Sequence, residues 1–76
     1  MKELIEYMAK ALVDKPDEVK VTEENDRGRV IVRLEVAEDD YGKVIGKGGR
    51  IAQSMRALLK VTAIRRDEYA SLEIGD

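Results

Sequence analysis

With 76 residues, this chain is long enough for one small domain with a thin hydrophobic core, and we expect a single domain over residues 1–76. The sequence contains neither Cys nor His, which excludes disulfides, thiolate metal sites and the commonest general base, so we expect a non-enzymatic protein without a metal or cofactor. The 14 basic and 16 acidic residues nearly balance, for a net charge of -2, which by itself argues against a polyanionic ligand.

The N-terminal half predicts an amphipathic helix followed by a β-hairpin. Over residues 2–14, apolar side chains recur at helical spacing among charged residues, and the helix ends before Pro16. Because charges interrupt every apolar run, this segment is neither a signal peptide nor a membrane span, and we expect a cytoplasmic protein without a membrane partner. Residues 19–21 and 30–36 alternate between apolar and polar on either side of the turn-forming residues 24–28, which predicts a hairpin with one apolar face. The apolar residues of the helix are Leu4, Ile5, Met8, Ala11 and Leu12.

The C-terminal half predicts two helices and a last strand. Acidic residues 38–40 favour the start of a short helix that reaches residue 45, and the helix dipole explains them better than a catalytic role does. A longer helix is predicted over residues 49–65, and alternation over residues 70–74 predicts a strand. A right-handed crossover through both helices would place this strand parallel to the second one. The long helix is expected to bury a stripe consisting of Ile51, Ala52, Met55, Leu58, Leu59 and Thr62.

Charge is distributed unevenly along the chain. Residues 1–40 hold 12 acidic and 7 basic residues, and residues 67–76 hold 4 acidic residues and no basic one. Residues 41–66, in contrast, hold 7 basic residues and no acidic one. A basic segment on an otherwise acidic chain is the electrostatic footprint expected of a site that contacts nucleic acid, and an ordinary solvated helix face is the alternative.

Three glycines and two cations separate the two predicted C-terminal helices, within the sequence Ile-Gly-Lys-Gly-Gly-Arg-Ile of residues 45–51. Glycine permits a left-handed backbone and the close approach of another molecule, and the adjacent cations indicate that this molecule carries phosphate. No Ser, Thr, Asp or Asn is available to cap the long helix, so its first amide groups are left for a ligand. The spacing fits neither the P-loop, which needs Ser or Thr in place of Gly48, nor the dinucleotide-binding motif, which needs Gly in place of Ile51.

In this element order, the Gly-x-x-Gly turn of residues 46–49 resembles that of the KH family of RNA-binding domains, and the resemblance covers the whole chain. The extra helix and strand at the N-terminus resemble the type II, bacterial-style arrangement of this family. The resemblance implies an α+β fold of order αββααβ, with a three-stranded mixed sheet covered on one face by helices. It also implies a turn that clamps the backbone of about four nucleotides of single-stranded RNA.

The RNA-binding residues that follow from this resemblance and from the basic segment are Lys43, Val44, Ile45, Gly46, Lys47, Gly48, Gly49, Arg50, Ile51 and Arg56. The four residues of the turn are expected to clamp phosphate, and Arg50 can add a forked contact. Bases are expected in an aliphatic groove formed by Val44, Ile45, Ile51 and the outer part of the second strand, although core packing is also an explanation for Val44 and Ile45. Arg33 is a further candidate for the rim of this groove.

With three Tyr residues and no Phe or Trp, the chain lacks the aromatic surface of other RNA-binding folds, and weak, loosely selective binding is expected. The resemblance implies a homodimer, or a complex with a larger bacterial protein that carries its own KH domain. A small RNA chaperone or post-transcriptional regulator is the leading interpretation. A ribosome-assembly or protein-interaction module that docks on structured RNA or protein is the alternative. Single-stranded DNA stays open as a ligand, because a phosphate clamp does not require the 2′-hydroxyl.

Overall fold

The helices and strands follow one another in the order predicted from the sequence. The computed structural model describes residues 1–75. Short 3₁₀ segments join the main elements at Pro16–Glu18, Glu38–Asp40 and Lys47–Gly49. The αββααβ order confirms the expected α+β fold and is the order of type II KH domains. The main elements are α1 (Lys2–Leu12), β1 (Lys20–Asp26), β2 (Arg29–Glu35), α2 (Tyr41–Ile45), α3 (Arg50–Arg65) and β3 (Tyr69–Ile74).

The three strands form one mixed sheet in which β2 is the central strand. Strands β1 and β2 are antiparallel and are joined by Arg27 and Gly28, whose φ angles of 55° and 82° are those of a type I′ hairpin turn. Strand β3 pairs with β2 in parallel, from Arg29 beside Tyr69 to Leu34 beside Ile74. The crossover through α2 and α3 therefore returns the chain parallel to β2, as predicted.

One face of the sheet is covered by the helices and forms the hydrophobic core. Alternate residues of β2 point into this core, because successive side chains of a strand face opposite sides. Arg33 and Glu35 lie on the other, uncovered face. The largest fully buried apolar side chains come from α1, α2, α3 and β2: Ile5, Leu34, Met55, Leu59, Val30, Val32 and Val44.

The predicted apolar stripe of α3 is corrected at Leu58, whose side chain is 44% exposed. The residues that α3 buries are Ala52, Met55, Leu59 and Ala63. Their spacing of three and four residues follows one side of a helix with 3.6 residues per turn, and Leu58 lies outside that side. Ile51 and Thr62 of the predicted stripe are only half-buried.

Helix α1 shows a similar difference. Its fully buried residues are Ile5 and Ala9, and Leu4 and Met8 are half-buried. Ala11 is exposed because it lies two residues from Ala9, on the opposite side of the helix, and Leu12 is exposed where the helix ends and the backbone at Val13 becomes extended. Within residues 1–75, no helix combines the length and the apolar character that crossing a membrane requires.

Candidate nucleic-acid interface

The glycine turn, Gly46–Gly49, connects α2 to α3 through three left-handed residues. Gly46, Gly48 and Gly49 have φ angles of 78°, 66° and 77°. The Gly46 amide donates to the Gly42 carbonyl at 2.9 Å, and the Gly49 amide donates to the Gly46 carbonyl at 3.1 Å. Since most side chains disfavour positive φ, this tight path explains why glycine occupies three of the four positions.

The three glycines have different surroundings. A Cβ atom added to Gly46 would lie 2.6 Å from Cγ1 and 3.0 Å from Cβ of Ile51, so this glycine is needed for packing as well as for its backbone angle. Around Gly48 and Gly49, an added Cβ would meet no atom within 4 Å. The backbone of the second half of the turn is therefore open to another molecule.

Helix α3 begins at this open backbone without a side-chain cap. Its N-cap residue is Gly49, and no side chain accepts a hydrogen bond from its first turn. Unpaired amide groups and the helix dipole make such an end attractive to an anion. Lys47 and Arg50 are exposed beside it, and neither forms an ion pair with any other group among residues 1–75. The turn thus combines open donors with two cations whose charges are not neutralised.

The three aliphatic candidates occupy different environments. Val44 is fully buried in the core, whereas Ile45 is 39% exposed at the C-terminal end of α2. Ile51 is half-buried, and its side chain packs against Gly46. Among these three residues, Ile45 offers the largest exposed fraction to a ligand at the turn.

Lys43 is engaged with acidic residues of its own chain. Its Nζ atom lies 3.0 Å from Oδ2 of Asp14 and 3.4 Å from Oδ1 of Asp40. The hydrogen bond to Asp14, supported by Asp40, raises the pKa of Lys43 above its ordinary value. These contacts fasten α2 to the segment that follows α1, so part of the Lys43 charge is already neutralised.

Asp40 is a buried carboxylate that joins these two segments. Its Oδ1 atom accepts a hydrogen bond from the Asp14 amide at 3.3 Å, and its Oδ2 atom accepts one from the Lys15 amide at 3.1 Å. Burial acts to raise the pKa of Asp40, but the two amides and the Lys43 ammonium outweigh it, so the pKa lies below its ordinary value. The sequence predicted only a helix-dipole role for this residue, because three consecutive acidic residues look alike until tertiary contacts distinguish them.

The lowered pKa of Asp40 predicts a loss of stability in acid. Ionised Asp40 stabilises the fold above its ordinary pKa of 3.8, and this contribution disappears as the pH falls through the lower pKa of the folded state. The Asp40→Asn variant should have a lower melting temperature at pH 7 and a weaker dependence of that temperature on acid pH. Thermal unfolding between pH 7 and pH 2 measures both effects, with the exposed neighbour changed in Asp39→Asn as the control. Equal behaviour of the two variants would contradict the anchoring role.

Helix α3 and strand β3 enclose a groove of about 490 Å³, which begins at Arg56 and continues to Tyr69. Arg56 lies at the wall of this groove, where its Nη2 atom donates to the Leu72 carbonyl at 3.5 Å.

Arg33 does not reach the groove, because it lies on the uncovered face of the sheet. There it contacts Glu73 at 2.8 Å and Glu24 at 3.2 Å, and these carboxylates, Glu73 above all, raise its pKa. The strand that lines this groove is the edge strand β3. The sequence had suggested the second strand of the hairpin instead.

Titratable side chains elsewhere do not suggest a metal centre. In the part of the chain that the structure describes, no three His, Cys, Asp or Glu side chains are grouped so that they could hold a metal ion. The glycine turn offers open backbone and cations, and the groove that begins at Arg56 offers apolar surface.

Comparison with known proteins shows a full-length family match. The family model described as "KhpA/KhpB, KH domain" matches residues 2–74. The chain is 47% identical to RNA-binding protein KhpA of Clostridium acetobutylicum over 97% of this chain and 99% of that protein. It is 51% identical to RNA-binding protein KhpA of Treponema pallidum over 97% and 92% of the two chains. The protein of the same name from Halalkalibacterium halodurans is 43% identical over the full length of both.

No solved structure matches the chain significantly. The family assignment therefore rests on the sequence match, and the element order of the fold agrees with it independently. The matched region contains all six helices and strands, including the glycine turn. Over residues 2–74, this chain belongs to the KhpA/KhpB family of KH domains.

Proposed function

We propose that this chain binds single-stranded RNA and that the glycine turn clamps the RNA backbone. The observation that carries the proposal is the open backbone of Gly48 and Gly49 at the uncapped start of α3, beside Lys47 and Arg50. The relatives named RNA-binding protein KhpA support RNA as the ligand. The family is non-enzymatic, which agrees with a chain that has no His and no Cys.

The contacts follow from the chemistry of the phosphodiester. Phosphate oxygens can accept hydrogen bonds from the amide groups of Lys47 and Gly48, since the Gly49 and Arg50 amides already donate to carbonyls of the turn, and the dipole of α3 also favours negative charge here. Lys47 supplies a point charge, and the guanidinium of Arg50 can donate two hydrogen bonds to one phosphate. With the backbone held at the turn, bases lie over Ile45 and along the groove beside Arg56. Such a groove reads base edges and shape with few charged contacts, so selectivity is modest.

Binding should depend on salt in proportion to the number of phosphates held. Single-stranded nucleic acid loses about 0.7 log units of affinity per log unit of salt for each phosphate neutralised. Three or four phosphates at the turn therefore predict a slope of about -2 to -3 in a plot of log affinity against log salt concentration. Fluorescence anisotropy with a labelled single-stranded RNA, measured from low to moderate salt, gives this slope. A slope near zero would contradict a phosphate clamp.

We further propose that two copies of the chain pair through the outer side of α3. Leu58 and Val61 are 44% and 53% exposed there, one helical turn apart, on the side of α3 away from the sheet. A single turn that holds about four nucleotides binds weakly, and a second copy adds avidity without new base contacts. Light scattering should give the mass of a dimer for the wild-type chain and of a monomer for Val61→Asp. A monomeric wild type, or a larger KH-containing protein that replaces the second copy in a pull-down, would contradict self-pairing.

In the cell, a weak clamp for unstructured RNA suits a small RNA chaperone or post-transcriptional regulator. Such a protein must hold and release many RNAs, which modest affinity permits. The alternative, docking on structured RNA or protein without contact to single strands, predicts that isolated single-stranded RNA does not compete for the partner. A competition experiment with short single-stranded RNA therefore distinguishes the two roles, and a parallel sample with DNA of the same sequence measures the preference for the 2′-hydroxyl.

A further inference from the structure

The parallel pairing of β2 and β3 brings together residues that are far apart in the sequence. Arg29 at the start of β2 lies directly beside Tyr69 at the start of β3. The Tyr69 amide donates to the carbonyl of Gly28 at 2.8 Å, which ties β3 to the turn of the hairpin. The residues Arg27, Arg29 and Tyr69 therefore form one surface, which we name the hairpin-end cluster.

Tyr69 is the most exposed large apolar or aromatic side chain in the part of the chain that the structure describes, with 80% of it accessible. It borders two depressions at once. One is the groove between α3 and β3, which also contains Arg56 and Lys60. The other is a depression of about 300 Å³ formed with Asp26, Arg27 and Arg29. A flat ring with open space on both sides can stack on another flat ring, such as a nucleobase.

The charges around Tyr69 favour a polyanion over a neutral partner. None of Arg27, Arg29 and Lys60 forms an ion pair with another residue between 1 and 75. The acidic neighbours are Asp26 and Glu68, and Glu68 already accepts a hydrogen bond from Asn25 at 3.3 Å. Cations next to an exposed aromatic ring form the combination by which single-stranded nucleic acid is held, through stacking and phosphate contacts together. The acidic neighbours limit the number of phosphates that the cluster can hold.

The hairpin-end cluster lies at the opposite end of α3 from the glycine turn. At 1.5 Å per residue, the 16 residues of α3 span about 24 Å. At the spacing of a helically stacked strand, about 3.4 Å per nucleotide, about seven nucleotides would cover this distance, and an extended strand needs fewer. The groove beside Arg56 and Lys60 covers the part of this distance that lies between Arg56 and Tyr69. A strand held by its backbone at the turn can therefore reach Tyr69 only when it is longer than the four nucleotides that the turn clamps.

From this placement, we infer that the hairpin-end cluster is a second nucleotide-binding site, in which a base stacks on Tyr69 and its phosphate contacts Arg27 and Arg29. This inference rests on the proposed function, because it assumes that the same RNA strand is held at the glycine turn. It extends the RNA footprint along the α3–β3 groove. It also gives the two arginines a role, although both belong to the acidic N-terminal half of the sequence.

The test compares four-nucleotide and eight-nucleotide oligouridine RNA by anisotropy or NMR titration. A longer RNA binds more tightly simply because a four-nucleotide site can be placed on it in several registers. The wild-type chain should bind the eight-nucleotide RNA more tightly than this statistical effect accounts for. Tyr69→Ala should weaken binding of the longer RNA about fivefold to tenfold and leave the shorter RNA unaffected, since loss of one stacked base at an exposed site has at least this effect. Tyr69→Phe, which keeps the ring, should bind both RNAs like the wild type. If Tyr69→Ala binds the longer RNA as tightly as the wild type does, the second site is disproved.

A second variant separates the loss of a contact from a loss of stability. Arg27 has a left-handed backbone in a type I′ turn, where Asn is favoured, so Arg27→Asn should unfold at the same or a higher temperature. The variant should nevertheless bind the longer RNA more weakly. It should also reduce the magnitude of the salt slope for that RNA by about 0.7, which is the contribution of one phosphate. An unchanged affinity and slope would exclude the arginine contact. The Lys47→Asp, Gly48→Asp double variant should lose affinity for both RNAs. If it still binds the shorter RNA, the proposed function is contradicted, whatever the Tyr69 and Arg27 variants show.

Discussion

Replacing Lys47 and Gly48 together by Asp is expected to abolish measurable binding of single-stranded RNA, with a loss of at least about 100-fold in affinity. The first change reverses a charge next to the phosphate, and the second places a carboxylate over the open backbone of the turn. Contacts to charged groups contribute about 1.5 to 3 kcal/mol each, so losing one and adding repulsion is sufficient for this effect. Anisotropy with a labelled oligouridine measures it directly.

The double variant should remain folded, because neither side chain is part of the core. Lys47 is exposed, and a Cβ on Gly48 meets no atom within 4 Å. The φ of 66° at Gly48 costs strain, but Asp and Asn adopt left-handed angles more readily than other residues do. The matched control is Lys47→Gln with Gly48→Asn, which has nearly the same shape without the new negative charges and should retain part of the affinity. RNA binding at wild-type strength by the Asp variant would show that the ligand lies elsewhere.

Gly46→Ala is expected to destabilise the fold by about 3 kcal/mol. The backbone angles of Gly46, φ 78° and ψ 171°, lie in a region that essentially only glycine adopts, which costs another residue about 1 to 3 kcal/mol, and forcing an extra atom into a packed site costs about 1 to 3 kcal/mol. Both penalties apply here, because the new methyl group would lie 2.6 Å from Cγ1 of Ile51. Urea unfolding followed by circular dichroism gives the free energy of unfolding.

The matched control for this prediction is Gly48→Ala, which also has a positive φ but a left-handed helical conformation that residues with a Cβ adopt more readily, and open space around the new atom. It should cost only about 1 to 2 kcal/mol. Combining Gly46→Ala with Ile51→Ala removes the nearest colliding atoms, so the double variant should be more stable than the sum of the single effects predicts. Equal costs at Gly46 and Gly48 would show that Ile51 does not constrain the turn.

Most of the element order could be predicted from the sequence, because periodicity is a local signal. The alternation in β2 and the helical spacing in α3 each depend only on which face of an element is buried. The turn of residues 46–49 was recognisable for the same reason, since glycines with positive φ and missing capping residues are visible in the sequence itself. The family match over residues 2–74 agrees with what these local signals indicated.

The features that sequence analysis missed all depend on contacts between distant residues. Nothing local distinguishes Asp40 from its acidic neighbours until the amides of Asp14 and Lys15 surround it. The exposure of Leu58 depends on how α3 is rotated about its axis against the sheet. The helical period in the sequence determines this rotation only to within about one residue. Tyr69 and Arg29 become neighbours only through the parallel pairing of β2 with β3.

The charges of sequence segments do not show which cations are paired in the fold. The segment charges favoured residues 41–66 as the basic surface, with Arg33 as a further candidate, and Lys43 was grouped with the cations available to RNA. The fold instead places the Lys43 ammonium 3.0 Å from Asp14, and it places Arg29 beside Tyr69, which borders the far end of the groove. Contact between Lys43 and RNA stays a prediction. Such a contact requires that the ion pairs of Lys43 with Asp14 and Asp40 break.

The measurement that tests the central claim most directly is an NMR titration of the isotope-labelled chain with a short single-stranded RNA. We predict that the backbone amide signals of residues 46–50 shift first and furthest, because the phosphate is proposed to lie against this stretch of backbone. With a four-nucleotide RNA, which does not reach the hairpin-end cluster, residues of the uncovered sheet face such as Arg33 and Glu35 should stay unchanged. RNA that shifts the signals of the sheet face while leaving Gly48 and Gly49 unmoved would contradict the account.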